Sequence, residues 1–278
     1  MKSGKAQSAV LKTLVCSSAA ATVAVLVFIV VYILFKGLPH LSPKLFSLHY
    51  SSDNVSMLPA MVNTVSIVLL SLLIAAPVGI FSAIFLVEYA GRGNRFVSVI
   101  RTTAETLAGI PSIVYGLFGY LLFVVALGWG YSLIAGAATL AIMILPVIMR
   151  TTEEALKAVP DIYREGSFGL GAGKLRTVFK IVLPSAVPGI LAGVVLSVGR
   201  IVGETAALIY TAGTVAQIPS GLTESGRTMS VHMFSLWKEG FNADESYATA
   251  VMLLIIVIGL NTLSTYIARK FTKGKTDG

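Results

Sequence analysis

Charge is scarce in this 278-residue chain: 12% of it is Asp, Glu, Lys or Arg, against about a quarter in an ordinary soluble domain. That excludes a disordered segment, which is polar and highly charged. It also excludes a soluble enzyme of this length, which needs far more charged surface. Cysteine is nearly missing. Cys16 stands alone, so there is neither an internal disulfide framework nor a multi-cysteine metal site. Within its apolar run it reads as a small hydrophobe. The three histidines, His40, His49 and His232, form no HExxH or paired-ligand spacing and read as surface residues. No GxSxG, Walker A or GxGxxG pattern occurs, so no catalytic residue, metal site or nucleotide site is legible.

What the chain has is apolar length. It is 55% hydrophobic with a mean hydropathy of +0.85, the signature of a multi-span membrane protein. Gaps between charges locate the spans. Lys12 and Lys36 are separated by 23 uncharged residues, Asp53 and Glu88 by 34, and Glu105 and Arg150 by 44, room for two helices around Gly128-Trp129-Gly130. Two gaps of 19 flank Arg200 and Glu204, and 23 residues separate Glu245 from Arg269. With about 20 residues needed per crossing, the spacing predicts an all-α protein of about six helices, near 13–35, 60–86, 106–127, 131–149, 187–210 and 247–268. The first run exceeds the apolar core of a signal peptide and reads as a retained anchor. Residues 1–12 and 269–278 read as tails around a 13–268 membrane domain.

The basic residues orient it. One face collects 16 of them, in the N-terminus, the loop with Arg92, Arg95 and Arg101, the 150–183 loop and the C-terminus. The other has four: Lys36, Lys44, Arg227 and Lys238. The excess of Lys and Arg in cytoplasmic loops puts both termini and the 150–183 loop in the cytoplasm, and the 37–57 and 211–246 loops outside. The net charge of +8 then needs no nucleic acid to explain it.

In the 150–183 loop, Pro160 ends one helix and Asp161 caps the next. Gly169, Gly171 and Gly173 break that one. Lys174 to Val182 forms a third, before Pro184 and Pro188 return the chain to the membrane. Such an element is either a rigid knob for a partner's groove or an ordinary surface connector.

Its spacing resembles the EAA motif of ABC-transporter permease subunits: Glu165-Gly166-Ser167, three residues, Gly171, nine residues, Ile181, one residue, Leu183-Pro184. The departure is Gly-Ser in place of Ala-Ala, which lowers helix propensity. The resemblance implies that Glu165, Gly166, Ser167, Gly171, Ile181, Leu183 and Pro184 couple the chain to an ATPase. Four other stretches resemble the PstA-type phosphate permeases: Ala75–Gly79 leading to Phe85–Ala90, Leu107–Gly119, Glu154–Pro160 and Gly203–Leu208. The resemblance implies a type I ABC importer permease, with no cofactor of its own and no enzymatic activity. ATP and Mg would bind a PstB-like ATPase dimer. The other partners would be a PstC-like second permease, a PstS-like phosphate-binding protein, inorganic phosphate and the bilayer of the cytoplasmic (inner) membrane.

Two charges stand inside the fifth apolar stretch. Arg200 and Glu204, four apart, would share one helix face and either neutralise each other or serve transport. In the second case the planar Arg200 fork contacts phosphate oxygens and Glu204 limits how tightly the anion is held, with Thr205, Tyr210 and Thr211 continuing the polar row. Asn63, Thr64, Ser66 and Ser112 are weaker pathway candidates. Gly189/Gly193 and Gly199/Gly203 would allow close helix contact. Sulfate or molybdate remain alternative cargoes, since one arginine does not choose among oxyanions. A membrane enzyme would need a nucleophile or metal that the sequence does not display, and a scaffold would leave Arg200 and the EAA spacing without a purpose.

Overall fold

The computed structural model describes residues 2–90, 93–240 and 242–273; of the basic residues used for orientation, Arg92 and Lys275 lie outside them. The first helix, α1 (Lys2–Gly37), leads through two short 3-10 turns to α2 (Leu58–Ile84), whose first turn holds Pro59, where no N–H is needed. A wide i→i+5 turn, Phe85–Tyr89, closes α2, with the Ala90 N–H on the Phe85 carbonyl at 2.9 Å. Next come α3 (Arg95–Ala108), capped by the Asn94 side chain, and α4 (Ser112–Gly119), which runs on as a wide turn to Ala126. Then follow α5 (Leu133–Lys157), α6 (Asp161–Gly169) and α7 (Lys174–Thr177). The chain passes without a gap into α8 (Leu183–Val202), then α9 (Ala206–Thr211), α10 (Met229–Glu239) and α11 (Ala243–Lys273). Among the described residues, five helical stretches are long and apolar enough to cross a membrane, and α3 with α4 makes a sixth if the bent pair is one span.

Contacts fix the directions. The Ser71 hydroxyl donates to the Ala137 carbonyl and Gly79 packs on Ile148, so α2 and α5 run parallel. Gly193 meets Thr151 and Gly189 meets Ala155, so α8 runs against α5, backbone close to backbone. Gly37, at the end of α1, packs on Tyr247 near the start of α11. The start of α1, the end of α11 and the 158–182 segment therefore share one end of the bundle, and residues 38–57 and 213–228 the other. Three apolar clusters stack between them. One is at the 158–182 end around Leu156, Val178 and Val182, one is central around Leu140, Ile144 and Leu208, and one is at the far end around Leu45, Met57 and Met229.

Five expectations are corrected. The third span does not begin as a straight helix at 106. Residues 106–108 finish α3, which meets α4 at 102°, because Pro111 lacks an N–H and biases Ile110 away from helical geometry. The Tyr115 hydroxyl takes up the Leu107 carbonyl freed there, at 2.7 Å. The fifth span does not run 187–210. It begins at Lys174, continues through Pro184 and Pro188, and stops at Val202. A wide turn at Val178–Val182 absorbs Pro184, whose ring would clash with the carbonyl four residues back in regular α geometry. The far-end 211–246 segment is not merely a loop: it holds α10 and buries His232 completely. Finally, Gly199 faces open space and Gly203 meets nothing but the Gly199 carbonyl of its own helix, so of these two pairs Gly189/Gly193 is the one that gives close helix packing. The last helix reaches Lys273, past the expected boundary at 268.

Candidate translocation path and coupling face

Two helix breaks lie side by side within the bundle. Gly109–Pro111 separates α3 from α4, and Gly203–Thr205 separates α8 from α9. Gly116 of α4 lies directly on Ala207 of α9, where an added Cβ would come within 2.8 Å of the Ala207 Cα. Arg200 sits half-buried in the last turn of α8, where the helix dipole favours a cation, and within electrostatic range of Tyr115. Arg200 and Glu204 do not share a helix face, because the helix ends between them. The Glu204 carboxylate, 8% exposed, instead accepts from the Ala207 N–H at 3.1 Å and caps α9. Its backbone carbonyl accepts from the Ser230 hydroxyl, which ties the break to α10. The mutual ion pair is therefore not formed. Among the described residues Arg200 has no ion pair and no hydrogen bond through its side chain.

Thr205, half-buried, lines a mostly apolar cavity of about 750 Å³ together with Ile113, Tyr210, Phe234 and Trp237. Thr211 is not on that surface; it is fully buried and bonds back to the Ala207 carbonyl. Asn63 and Thr64 are structural ties: Asn63 donates to the Gln217 and Arg227 carbonyls, and Thr64 accepts from the Met229 N–H. Ser66 bonds back to the Val62 carbonyl in its own helix. Ser112 is half-buried at the start of α4.

At the opposite end, α6 stops in a defined way. Gly171 has φ +79, its N–H reaches the Phe168 carbonyl at 2.9 Å, and the Ala172 N–H reaches the Ser167 carbonyl at 3.0 Å. This is a Schellman cap, with glycine in the left-handed position that other residues take at a cost. The motif glycine is thus required by the backbone itself, since nothing lies within 4 Å of the Cβ it lacks. Ser167 is buried, with its hydroxyl 2.8 Å from that of Thr177. The Gly-Ser departure therefore adds an α6–α7 hydrogen bond where a looser helix is expected from propensity alone. Glu165 and Gly166 are exposed, and Ile181, Leu183 and Pro184 are half-buried where α8 begins. Around them Ile162, Tyr163 and Leu175 are exposed, and Leu170 is 91% exposed, an apolar patch of the kind that marks an interface.

Sequence reasoning missed the residues that hold this face. Arg164 reaches three elements. Its Nε and Nη2 both meet Glu88 Oε1, at 3.1 and 2.7 Å, and Nη2 also donates to the Leu156 carbonyl at the end of α5. Nη1 donates to the Val159 carbonyl and to Asp161. A second link joins α3 to α5, where Glu153 accepts from Arg101 at 2.9 Å and from Lys157 at 3.0 Å. The available signal was Glu88 as an isolated charge closing an apolar run, with Arg164 among the charges of the 150–183 loop, but their pairing spans 76 positions.

A helical bundle with a broken penultimate span and a surface helix ending in an EAA-type turn defines a permease. Residues 75–276 match the family described as binding-protein-dependent transport system inner membrane component, and the chain belongs to that family. It is a permease subunit of an ABC importer. A probable ABC transporter permease protein, YqgI of Bacillus subtilis, is 33% identical over 91% of this chain and 94% of its own length. The phosphate transport system permease protein PstA of Yersinia pestis is 34% identical over 87% of this chain and 85% of its own. Among solved structures, a bacterial alginate ABC transporter chain superposes with a TM-score of 0.71 at 16% identity over 95% of each chain, a likeness of fold.

Proposed function

We propose that this chain is one of two permease subunits of a phosphate importer and supplies half of the translocation path. The observation that carries the reading is the likeness to PstA proteins over 85–87% of this chain, joined to an Arg200 that has no partner among the described residues and sits at the meeting of two helix breaks. An intramembrane charge is costly and marks a pathway by default. A guanidinium with free donors suits a phosphate oxygen pair. Glu204 shapes the path through the break it caps, and Thr205 lines its wall. A single chain supplies one such arginine and one set of broken helices, so a second, PstC-like permease completes the path. An extracytoplasmic phosphate-binding protein delivers the anion.

The 158–182 face docks on a PstB-like ATPase that binds ATP and Mg. Its apolar patch around Leu170 supports this, as does the 16-to-4 bias of basic residues, the kind of excess that cytoplasmic loops carry. Replacing Gly171 by leucine strains the Schellman turn by about 1–2 kcal/mol and tilts the patch. The expected result is loss of ATPase copurification with the chain still inserted; unchanged copurification and uptake would sink the docking assignment. For the cargo, the test is labelled phosphate uptake at low micromolar phosphate in cells lacking only this chain, with sulfate and molybdate as competitors. Loss of a component that neither competitor affects is expected. Intact phosphate uptake with loss of sulfate or molybdate uptake would transfer the reading to that oxyanion.

A further inference from the structure

The far end of the bundle buries a second arginine. Arg227 is 4% exposed and pairs with no acid among the described residues. Its backbone is fixed: the N–H donates to the Val215 carbonyl and its own carbonyl accepts from Asn63. Its guanidinium lies 4.6 Å from the centre of the Tyr50 ring. Nε and Nη2, however, have no hydrogen-bond partner among the described residues. These two nitrogens form one edge of the fork and point the same way, the edge that grips paired oxygens. Elsewhere in the chain Arg164 turns the same two atoms onto a single oxygen of the Glu88 carboxylate, so this edge takes an anionic oxygen.

The neighbours are also unsatisfied. His232, 0% exposed, has the Val55 backbone as its one polar neighbour of hydrogen-bonding type, and neither ring nitrogen reaches a partner at good hydrogen-bond geometry among the described residues. Burial first, and the Arg227 charge second, lower its pKa to about 3, so at neutral pH it is a neutral imidazole with one N–H to donate. Asn63 Oδ1 is unpaired as well. Among the described residues, five of the six buried side-chain atoms without a hydrogen bond of good geometry thus belong to Asn63, Arg227 and His232. Tyr50 covers the group, with its ring centre 6.1 Å from that of His232. Beside it Val55 holds φ 45, a region that a β-branched residue enters only under constraint. Three residues beyond Arg227, Ser230 bonds the Glu204 carbonyl, so the group adjoins the break that carries Arg200.

We propose that Arg227, with His232, forms an oxyanion-binding site beneath Tyr50, distinct from Arg200, which takes a tetrahedral inorganic anion when the Tyr50 segment moves aside. The site rests on the permease reading only in the choice of phosphate as probe. The test is equilibrium binding of labelled phosphate, and of labelled sulfate, to the full-length chain in lipid nanodiscs at constant ionic strength. The Arg200→Ala chain is expected to retain one saturable oxyanion site. Arg227→Lys in that background keeps the charge and removes the fork, and should weaken binding at least about tenfold. Arg227→Met should abolish it while raising the thermal midpoint, because a buried unpaired charge is removed. No saturable site for either anion in the Arg200→Ala chain overturns the proposal, whether or not the Arg227 variants fold. So does undiminished binding in Arg227→Lys. Sulfate binding without phosphate binding keeps this site and moves the cargo assignment.

Discussion

Arg200→Ala is expected to reduce phosphate uptake by about 100-fold or more, while the chain still inserts and assembles. A hydrogen bond to a charged group contributes about 1.5–3 kcal/mol, and losing a two-point contact therefore removes about 3 kcal/mol or more, some two decades. Stability should change little, because in this state Arg200 forms no ion pair or hydrogen bond among the described residues and sits half-buried at a helix C-terminus. Arg200→Lys keeps the charge but not the planar fork and should fall between the two. Uptake assays on membranes with matched chain levels check the ordering. Normal uptake by Arg200→Ala would assign the residue to the α8 dipole alone.

Arg164→Ala should act through a different route. It leaves Glu88, whose side chain is 8% exposed, buried without its partner, which costs about 3–5 kcal/mol. It also cuts α6 loose from the ends of α2 and α5. The expected result is a clear drop in thermal midpoint together with loss of uptake. The double change Arg164→Met with Glu88→Leu separates the two effects. An apolar pair of similar volume should recover most of the stability, yet without the directional bonds α6 no longer moves rigidly with α2. Uptake should therefore stay low, with ATP hydrolysis no longer dependent on delivered substrate. Full recovery of uptake in the double variant would reduce the pair to a packing element.

Glu88 and Arg164 also mark the boundary of what a linear reading reaches. The spans of α1, α2, α5 and α11 were legible because unbroken apolar length is a local property that one helix expresses by itself. Gly171 was legible as a turn because its conformation is set within four residues. The ends of the third and fifth spans were not. Pro111 disfavours a regular helix at that point by its own chemistry, but whether the chain continued straight or turned by 102° depended on what α4 packs against. Pro184 read as a stop, yet the wide turn before it lets the helix pass. Glu204 read as a helix-face partner of Arg200, and became a cap once α8 ended at Val202 to let α9 meet Gly116.

The same limit governs the histidines and the far-end arginine. His232 and Arg227 lie in a stretch whose composition is that of a loop, and nothing within it announces burial. By itself, the sequence determined a multi-span helical chain, its charge asymmetry and the geometry of the EAA-type turn, because hydropathy, charge and backbone propensity act over a few residues. The tertiary structure alone decided which charges are paired, which cap a helix and which are left buried without a partner. Those outcomes depend on distances between segments tens to hundreds of positions apart, and on which groups the packed core removes from water.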